Sequence, residues 1–341
     1  MAAFVISLNA MSSGVANVGT TPGSGLFVGF LAQEAAGQRS AMVGYLFAVA
    51  AACISGVSVF VNSLAVRTFA DPVLYTALKD GLVGVVLLVP LCFSAAWRSE
   101  YHRLNAKTWV WLVALALTGG SAPFALFYSG LQVTTAATGA LVNHFQFVLV
   151  ALFAAAFLKE RLPAAVWTGM IVLLIGTVLG TNLNALVWNG GSALIALSTV
   201  LFAVDFVIAK HLLRGLATLT VMTARMTLGT ALLLVYVVIS GRMVPVSDLN
   251  QTQWLFLVVT GFLLLLFTVT TFTAIRHSSV SAVLAIGTAA PIITTCLQLF
   301  GSGNVQLAAG DETGLVVTFV AVAAIIALGV RQDRLRASGW R

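Results

Sequence analysis

Apolar residues fill this chain in long blocks, and the interruptions fall at Gly, Pro, Asn and clustered charges. Each block is long enough for one or two bilayer crossings of about 20 residues. Read this way, the chain holds ten helices: Met42–Val66, Pro72–Phe93, Thr108–Tyr128, Thr134–Leu158, Ala164–Leu183, Ser192–Lys210, Leu219–Ile239, Gln253–Ile275, Ser279–Phe300 and Thr313–Val330. The expected fold class is an all-α membrane protein with ten transmembrane helices. Residues 1–41 differ: Gly, Ser, Thr and Ala dominate Met11 to Ser24, and no basic segment precedes an apolar core, so they read as a flexible N-terminal extension rather than a signal peptide. Residues 331–341 form a basic tail.

Composition supports the membrane reading. Of 341 residues, 60% are hydrophobic and 8% charged, against about 25% charged in soluble domains. So few charges cannot cover a water-facing surface of this size. The net charge of +7 does not indicate nucleic acid, because the basic residues are spread over loops and one tail. With the N-terminus placed in the cytoplasm, 13 Lys and Arg fall on the cytoplasmic side and two, Arg67 and Arg242, on the outer side. This is the bias that orients membrane proteins. Both termini are then cytoplasmic in the cell membrane. Trp97, Trp109, Trp111, Trp167, Trp188 and Trp254 fall near span ends, where amphipathic rings anchor at the headgroups. Cys53, Cys92 and Cys296 lie in apolar runs without paired spacing and are expected as small buried hydrophobes. No metal or cofactor is implied.

The first five spans resemble the last five. With Gly44 set against Gly191 and one gap in the following loop, Lys79 falls on Arg225, each within a Leu/Val/Ala-rich second helix. Further on, Leu131-Gln132-Val133-Thr134-Thr135-Ala136 falls on Ile275-Arg276-His277-Ser278-Ser279-Val280. Five is odd, so the second copy enters the membrane from the opposite side. The chain thus divides into inverted five-helix repeats at 42–183 and 192–330, a construction common among secondary transporters.

The segment Phe157-Leu158-Lys159-Glu160-Arg161-Leu162-Pro163, followed by Trp167, Gly169 and Gly176, resembles the signature that closes the fourth helix and opens the fifth in the EamA family of the drug/metabolite transporter superfamily. The resemblance extends over about residues 42–331 and implies a secondary carrier of small metabolites or drugs, often an exporter. Two features depart from the family pattern. The second half has Phe300-Gly301-Ser302-Gly303-Asn304 in place of the Glu-Arg-Leu, and the fourth helix lacks a proline whose counterpart, Pro291, is present in the ninth. Physically the motif reads as architecture. Lys159 and Arg161 hold a tight cytoplasmic turn, Pro163 starts the fifth helix where a missing N–H costs nothing, and Gly169, Gly176 and Gly180 permit close helix approach.

Charges inside spans need a reason, since each costs about 2.5–3.5 kcal/mol on insertion scales. Four stand out: Lys79, Asp80, Asp205 and Arg225. Lys79 either lines a cavity or snorkels to the outer headgroups. Tyr75 lies one turn before it on the same face, with Asn62 and Ser58 as further cavity candidates. Asn143, His144 and Gln146 form a polar patch at the middle of the fourth span, the depth at which carriers bind substrate. Asp80 is the candidate for proton coupling. Asp205 and Arg225, each some 8–11 Å below the inner surface at 1.5 Å per residue, are expected to pair across the sixth and seventh helices as a clamp or gate. Pro123, after Thr118-Gly119-Gly120, and Pro291 are expected to bend their helices.

The expected function is therefore a secondary transporter, exporter or exchanger, for a small organic solute, working by alternating access. No GxxxxGK[ST] motif appears, so ATP is not expected to drive it. An intramembrane serine hydrolase built on Ser121 and His144 is the rival from another class, and a channel is a third reading. The partners implied are a small-molecule substrate and the lipid bilayer, no nucleic acid, with a homodimer left open.

Overall fold

The computed structural model describes residues 25–160, 186–242 and 248–290, together with short helical pieces between 167 and 178 and between 293 and 297; the side chains of 25–41, Ala96, Ala136, Ala137, Ala140 and His144 lie outside the description. The described residues are helical throughout. The helices are α1 (Gly25–Ala65), α2 (Pro72–Phe93), α3 (Ala95–His102), α4 (Ala106–Leu115), α5 (Ala122–Leu131), α6 (Ala136–His144), α7 (Gln146–Phe157), α8 (Gly190–Leu213), α9 (Thr218–Ile239), α10 (Gln251–His277) and α11 (Val280–Gly287). A π-helical segment, Ala116–Ser121, joins α4 to α5.

Six segments are long and apolar enough to cross a bilayer: Met42–Thr68, Pro72–Phe93, Ala106–Leu131, Gly190–Leu213, Thr218–Ile239 and Gln251–His277. They correspond to the expected first, second, third, sixth, seventh and eighth spans. The fourth span, expected as one helix, is instead two: the chain turns at Phe145 between α6 and α7. The ninth is described as α11 and pieces beyond a turn at Thr288–Ala289. The fifth (apart from the pieces noted), the tenth, Pro291 and residues 331–341 lie outside the described residues, so six spans rather than ten stand among them. α1 begins at Gly25, upstream of Met42, so the backbone of 25–41, within the expected N-terminal extension, is helical; this stretch carries no proline and several Ala and Leu, which continue a helix readily.

Side-chain caps fix the helix starts. Asp71 accepts from the amides of Val73 and Leu74, and Pro72 takes the first turn of α2. Asn189 with Ser192, and Asn250 with Gln253, form reciprocal capping boxes on α8 and α10. Thr135 caps α6 through Thr138 N–H, and Ser279 caps α11 through Ala282 N–H. Each such cap contributes about 1 kcal/mol.

The two halves interlock. α1 packs along α10, and α8 along α5. Where α1 passes the α10–α11 loop, a Cβ on Gly44 would fall on the Ser278 side chain, and where α8 meets the end of α5, a Cβ on Gly191 would lie 2.6 Å from Gly130 O. These are the glycines that set the repeat register, and each marks a close approach of its own half to the other. The breaks match as well. Phe145 N–H bonds Val142 O at 3.2 Å, and Ala289 N–H bonds Ile286 O at 3.0 Å. Both pairs are 144 residues apart, as are Leu131 and Ile275. Phe147 stands where the second half has Pro291, so a proline is not what breaks the first half.

The core runs through the whole bundle, from Ala48 and Ala52 on α1 through Val83, Leu112, Val150, Ala203 and Met226 to Phe272 and Val283. Outward-facing positions are apolar too, among them Val85, Val89 and Phe93 on α2 and Leu255, Val258 and Phe262 on α10. Helices that are apolar on both faces suit hydrocarbon surroundings, because all their backbone bonds close internally. Cys53, Cys92 and Cys296 belong to this outer surface. The expectation that they are buried is corrected: a thiol is apolar enough to face lipid, so an apolar run does not distinguish the two placements.

Candidate functional site

At one end of the bundle a polar network fastens the connections. Lys210 at the end of α8 donates to Ile275 O at 2.5 Å and Ser278 O at 2.7 Å, holding the carbonyls that finish α10. Glu160 accepts from Val280 N–H at 3.1 Å and from the Ser281 hydroxyl at 3.1 Å, holding the amides that start α11. One base and one acid thus grip the α10–α11 loop from either side, each meeting the complementary end of a helix dipole. Glu100 does the same for α9, accepting from Ala217 N–H at 2.8 Å and the Thr220 hydroxyl at 2.7 Å. Lys159 turns the chain into place with φ 56°, a left-handed conformation uncommon outside glycine. Within the expected turn Glu160 makes the cross-bundle contact, and Arg161 lies outside the described residues. Signals for Glu100 and Glu160 were present, since each is an acid set among basic residues.

The opposite end is joined differently. Arg242 pairs with Asp71 at 3.3 Å, Gln253 donates to Thr68 O at 2.7 Å, and Thr134 donates to Val187 O at 2.9 Å. Trp188 and Trp254 are exposed near helix ends here, as Trp109 and Trp111 are at the Lys210 end, beside Tyr101 and His211.

Between these ends lie the buried charges. Arg225 on α9 reaches Asp205 on α8 with Nε 3.3 and 3.2 Å from the two carboxylate oxygens and Nη2 3.1 Å from Oδ2. Nη2 also donates to Gly119 O at 2.7 Å. That carbonyl belongs to the π-helical segment, whose wider winding frees it from the regular ladder. The segment precedes Pro123, where a bend was expected, and Ser198 donates to Pro123 O at 2.7 Å. A Cβ on Gly119 would overlap the Asp205 carboxylate, so only glycine admits this pair. The guanidinium also lies over Phe272, 5.8 Å from the ring centroid.

Lys79 on α2 is 8% exposed, so it does not snorkel. It donates to Asn62 Oδ1 at 3.2 Å. The Tyr75 hydroxyl shares that acceptor at 2.7 Å and lies 2.8 Å from Thr260 Oγ1. Asn62 in turn donates to the Ser58 hydroxyl at 3.0 Å. Asp80 is 4% exposed. It points to another side of α2, with Thr76 one turn before it bonded to Tyr128 of α5, and lies within electrostatic reach of Lys79, Arg225 and Tyr128. The structure thus brings Tyr75 and Lys79 together with Asn62, and Asp205 with Arg225. It keeps Asn143 and Gln146 on either side of the break at Phe145. Asn143 Oδ1 is buried without a hydrogen-bond partner. The side chain of His144 lies outside the described residues. Ser121 is buried, and its hydroxyl faces Ala116 O and Leu117 O at 3.3 and 3.4 Å in its own segment, which is no arrangement for a nucleophile.

The same architecture appears in known proteins. One solved crystal structure superposes with a TM-score of 0.68 at 21% identity, covering 86% of this chain and 98% of that one. A relative in Bacillus subtilis (strain 168), "Uncharacterized transporter YyaM", is 25% identical over 184 residues. The match spans 52% of this chain and 59% of that relative's length. The model of the EamA-like transporter family matches twice, over residues 42–181 and 189–328, and its two copies fall on the two interlocked halves. A multi-pass helical bundle, doubled internally and matched along nearly its whole length, places the chain in the EamA-like transporter family.

Proposed function

We propose that this protein is a secondary transporter that moves a small organic metabolite or drug across the cytoplasmic membrane by alternating access, as an exporter or exchanger, with proton coupling through Asp80. The observation that carries the reading is the repeated break. Both halves interrupt a helix at the same register, at Phe145 and at Thr288–Ala289, and matched interruptions in the two repeats are a feature of carriers that bind solute at mid-depth. Asn143, His144 and Gln146 flank the first break and would line the substrate path together with Tyr75 and Lys79.

Buried cations at opposite depths suit two mouths that open in turn. Lys79 lies two turns into α2 from the Asp71 end, and Arg225 two turns into α9 from the Lys210 end. The end that gathers Lys210, Arg214 and Arg276 is the cytoplasmic one by the positive-inside rule, which sets both termini in the cytoplasm.

Two experiments test this. A thermal-shift screen of purified protein against amino acids, sugars, nucleosides and cationic drugs identifies a ligand. Counterflow in proteoliposomes, with and without an imposed pH gradient, then measures its movement. Wild type should accumulate the ligand against its gradient, and Asp80→Asn should retain exchange while losing proton-driven accumulation. A ligand that binds but never crosses would overturn the carrier reading. Reporter fusions at Trp188 and Arg242 should read as external, and cytoplasmic signals at both would reverse the orientation.

A further inference from the structure

The two repeats treat their buried cation differently. Ser58 follows Gly44 by 14 residues, as Asp205 follows Gly191. In the second repeat that position supplies the carboxylate that pairs with Arg225. In the first it supplies a hydroxyl, which accepts from Asn62, and Lys79 has the neutral Asn62 oxygen as its acceptor. Arg225 pairs with Asp205 and Arg242 with Asp71, and among the described residues no carboxylate lies within 4.0 Å of Lys79 Nζ. Asp80 is within electrostatic reach of Lys79 but makes no contact with it: successive helical residues diverge by about 100°, Asp80 lies toward Tyr128 of α5 and Arg225 of α9, and Lys79 Nζ lies on Asn62 of α1. An ammonium carries three donors, and a buried one with a single neutral acceptor is costly within a bilayer.

We infer that the transported solute supplies the carboxylate contact that Lys79 lacks: it is a small organic anion whose carboxylate docks on Lys79 Nζ beside the Tyr75 hydroxyl, Thr260 hydroxyl and Asn62 amide. This rests on the carrier reading above and adds the substrate class. Nζ also lies over the Tyr75 ring, 5.2 Å from its centroid, a cation–π contact that offsets only part of the cost of burying the charge. Lys79 lies about 10 Å along α2 from the Asp71 end at 1.5 Å per residue, a depth that a solute entering there reaches before the bundle centre. Were Lys79 only a structural charge, the repeat already had a way to satisfy it, namely the carboxylate that stands opposite Arg225.

The test uses purified full-length protein and matched probes, benzoate against benzamide and L-leucine against L-leucinamide. At least one acid should raise the melting temperature where its amide does not. Lys79→Met should weaken the apparent affinity for that acid by about tenfold or more, the loss expected for one charge-assisted hydrogen bond, and Lys79→Arg should retain it. Ser58→Asp installs the internal carboxylate, so it should keep the protein folded while abolishing the acid response; it carries the test alone if Lys79→Met fails to fold. Equal responses to acid and amide, or an acid response that survives Lys79→Met or Ser58→Asp, would overturn the assignment. The two levels separate in proteoliposomes. If ethidium crosses at equal rates with wild type and Lys79→Met while no acid binds, the carrier stands and the anion assignment falls. If acids, amides and ethidium all fail to cross, the carrier reading falls with it.

Discussion

Neutralising Arg225 should damage the protein more than neutralising Asp205, and the double change should recover part of the loss. Arg225→Gln leaves a carboxylate that is 2% exposed, pressed against Gly119 and stripped of three guanidinium contacts. Breaking a buried pair from one side costs about 3–5 kcal/mol. Asp205→Asn keeps an oxygen able to accept from Arg225, and the guanidinium keeps Gly119 O and the Phe272 face, so its cost belongs at the lower end of that range. With both charges removed no orphan remains, and the coupling energy should be about 1.5–3 kcal/mol, within the range seen for contacting residues. Reversible unfolding in mixed detergent micelles, read by far-UV circular dichroism on the wild type, two single variants and the double, gives the four free energies. Strictly additive losses would refute the reasoning, as would a milder effect for Arg225→Gln than for Asp205→Asn.

Other outcomes follow from the same geometry. Gly119→Ala should reproduce the loss of the ion pair, whereas Gly190→Ala, with nothing within 4 Å of the added carbon, should leave the melting temperature within a degree or so. Glu160→Ala should speed hydrogen exchange at Val280 and Ser281 and cost about 1–2 kcal/mol of local stability; unchanged exchange there would mean that the cap does not form in solution. Tyr101, outside the spans, donates to Thr220 O at 3.0 Å, and burial pushes its phenol up to about 12 from an ordinary 10.0. A raised phenol stabilises the fold fully below pH 10 and loses that contribution as pH climbs through 12, so Tyr101→Phe should flatten the alkaline limb of a stability profile. Cys53 and Cys92 should react with a lipid-soluble maleimide and resist a charged one, because both face outward from the bundle.

Much of this architecture is legible in the amino-acid order because membrane helices obey simple rules. α2 starts at Pro72 and ends at Phe93, as the apolar block alone indicates. The register of Gly44 with Gly191 reads directly as two close contacts. Asp205 and Arg225 lie one short loop apart, and proximity along the chain suffices to bring them together. What escapes is contact across long separations. Glu160 reaches Val280 over 120 residues, and no local pattern encodes that partner. The break at Phe145 has no proline to announce it. Whether a polar residue in the middle of a span meets solute or another helix depends on the rotation of that helix, which a sequence of nearly all-round apolar character does not fix.

The crossed packing of the halves has a consequence for biosynthesis. α1 emerges from the ribosome first, yet its main partner α10 is made more than 180 residues later. Until then the Tyr75 hydroxyl lacks Thr260, and the face of α1 that α10 covers meets lipid or whatever holds the nascent chain. The early helices are therefore inserted but unassembled for most of translation, and the molecule closes only when the eighth span arrives. A ribosome stalled before Gln251 should thus release a protease-sensitive product even though most of its helices are already in the membrane.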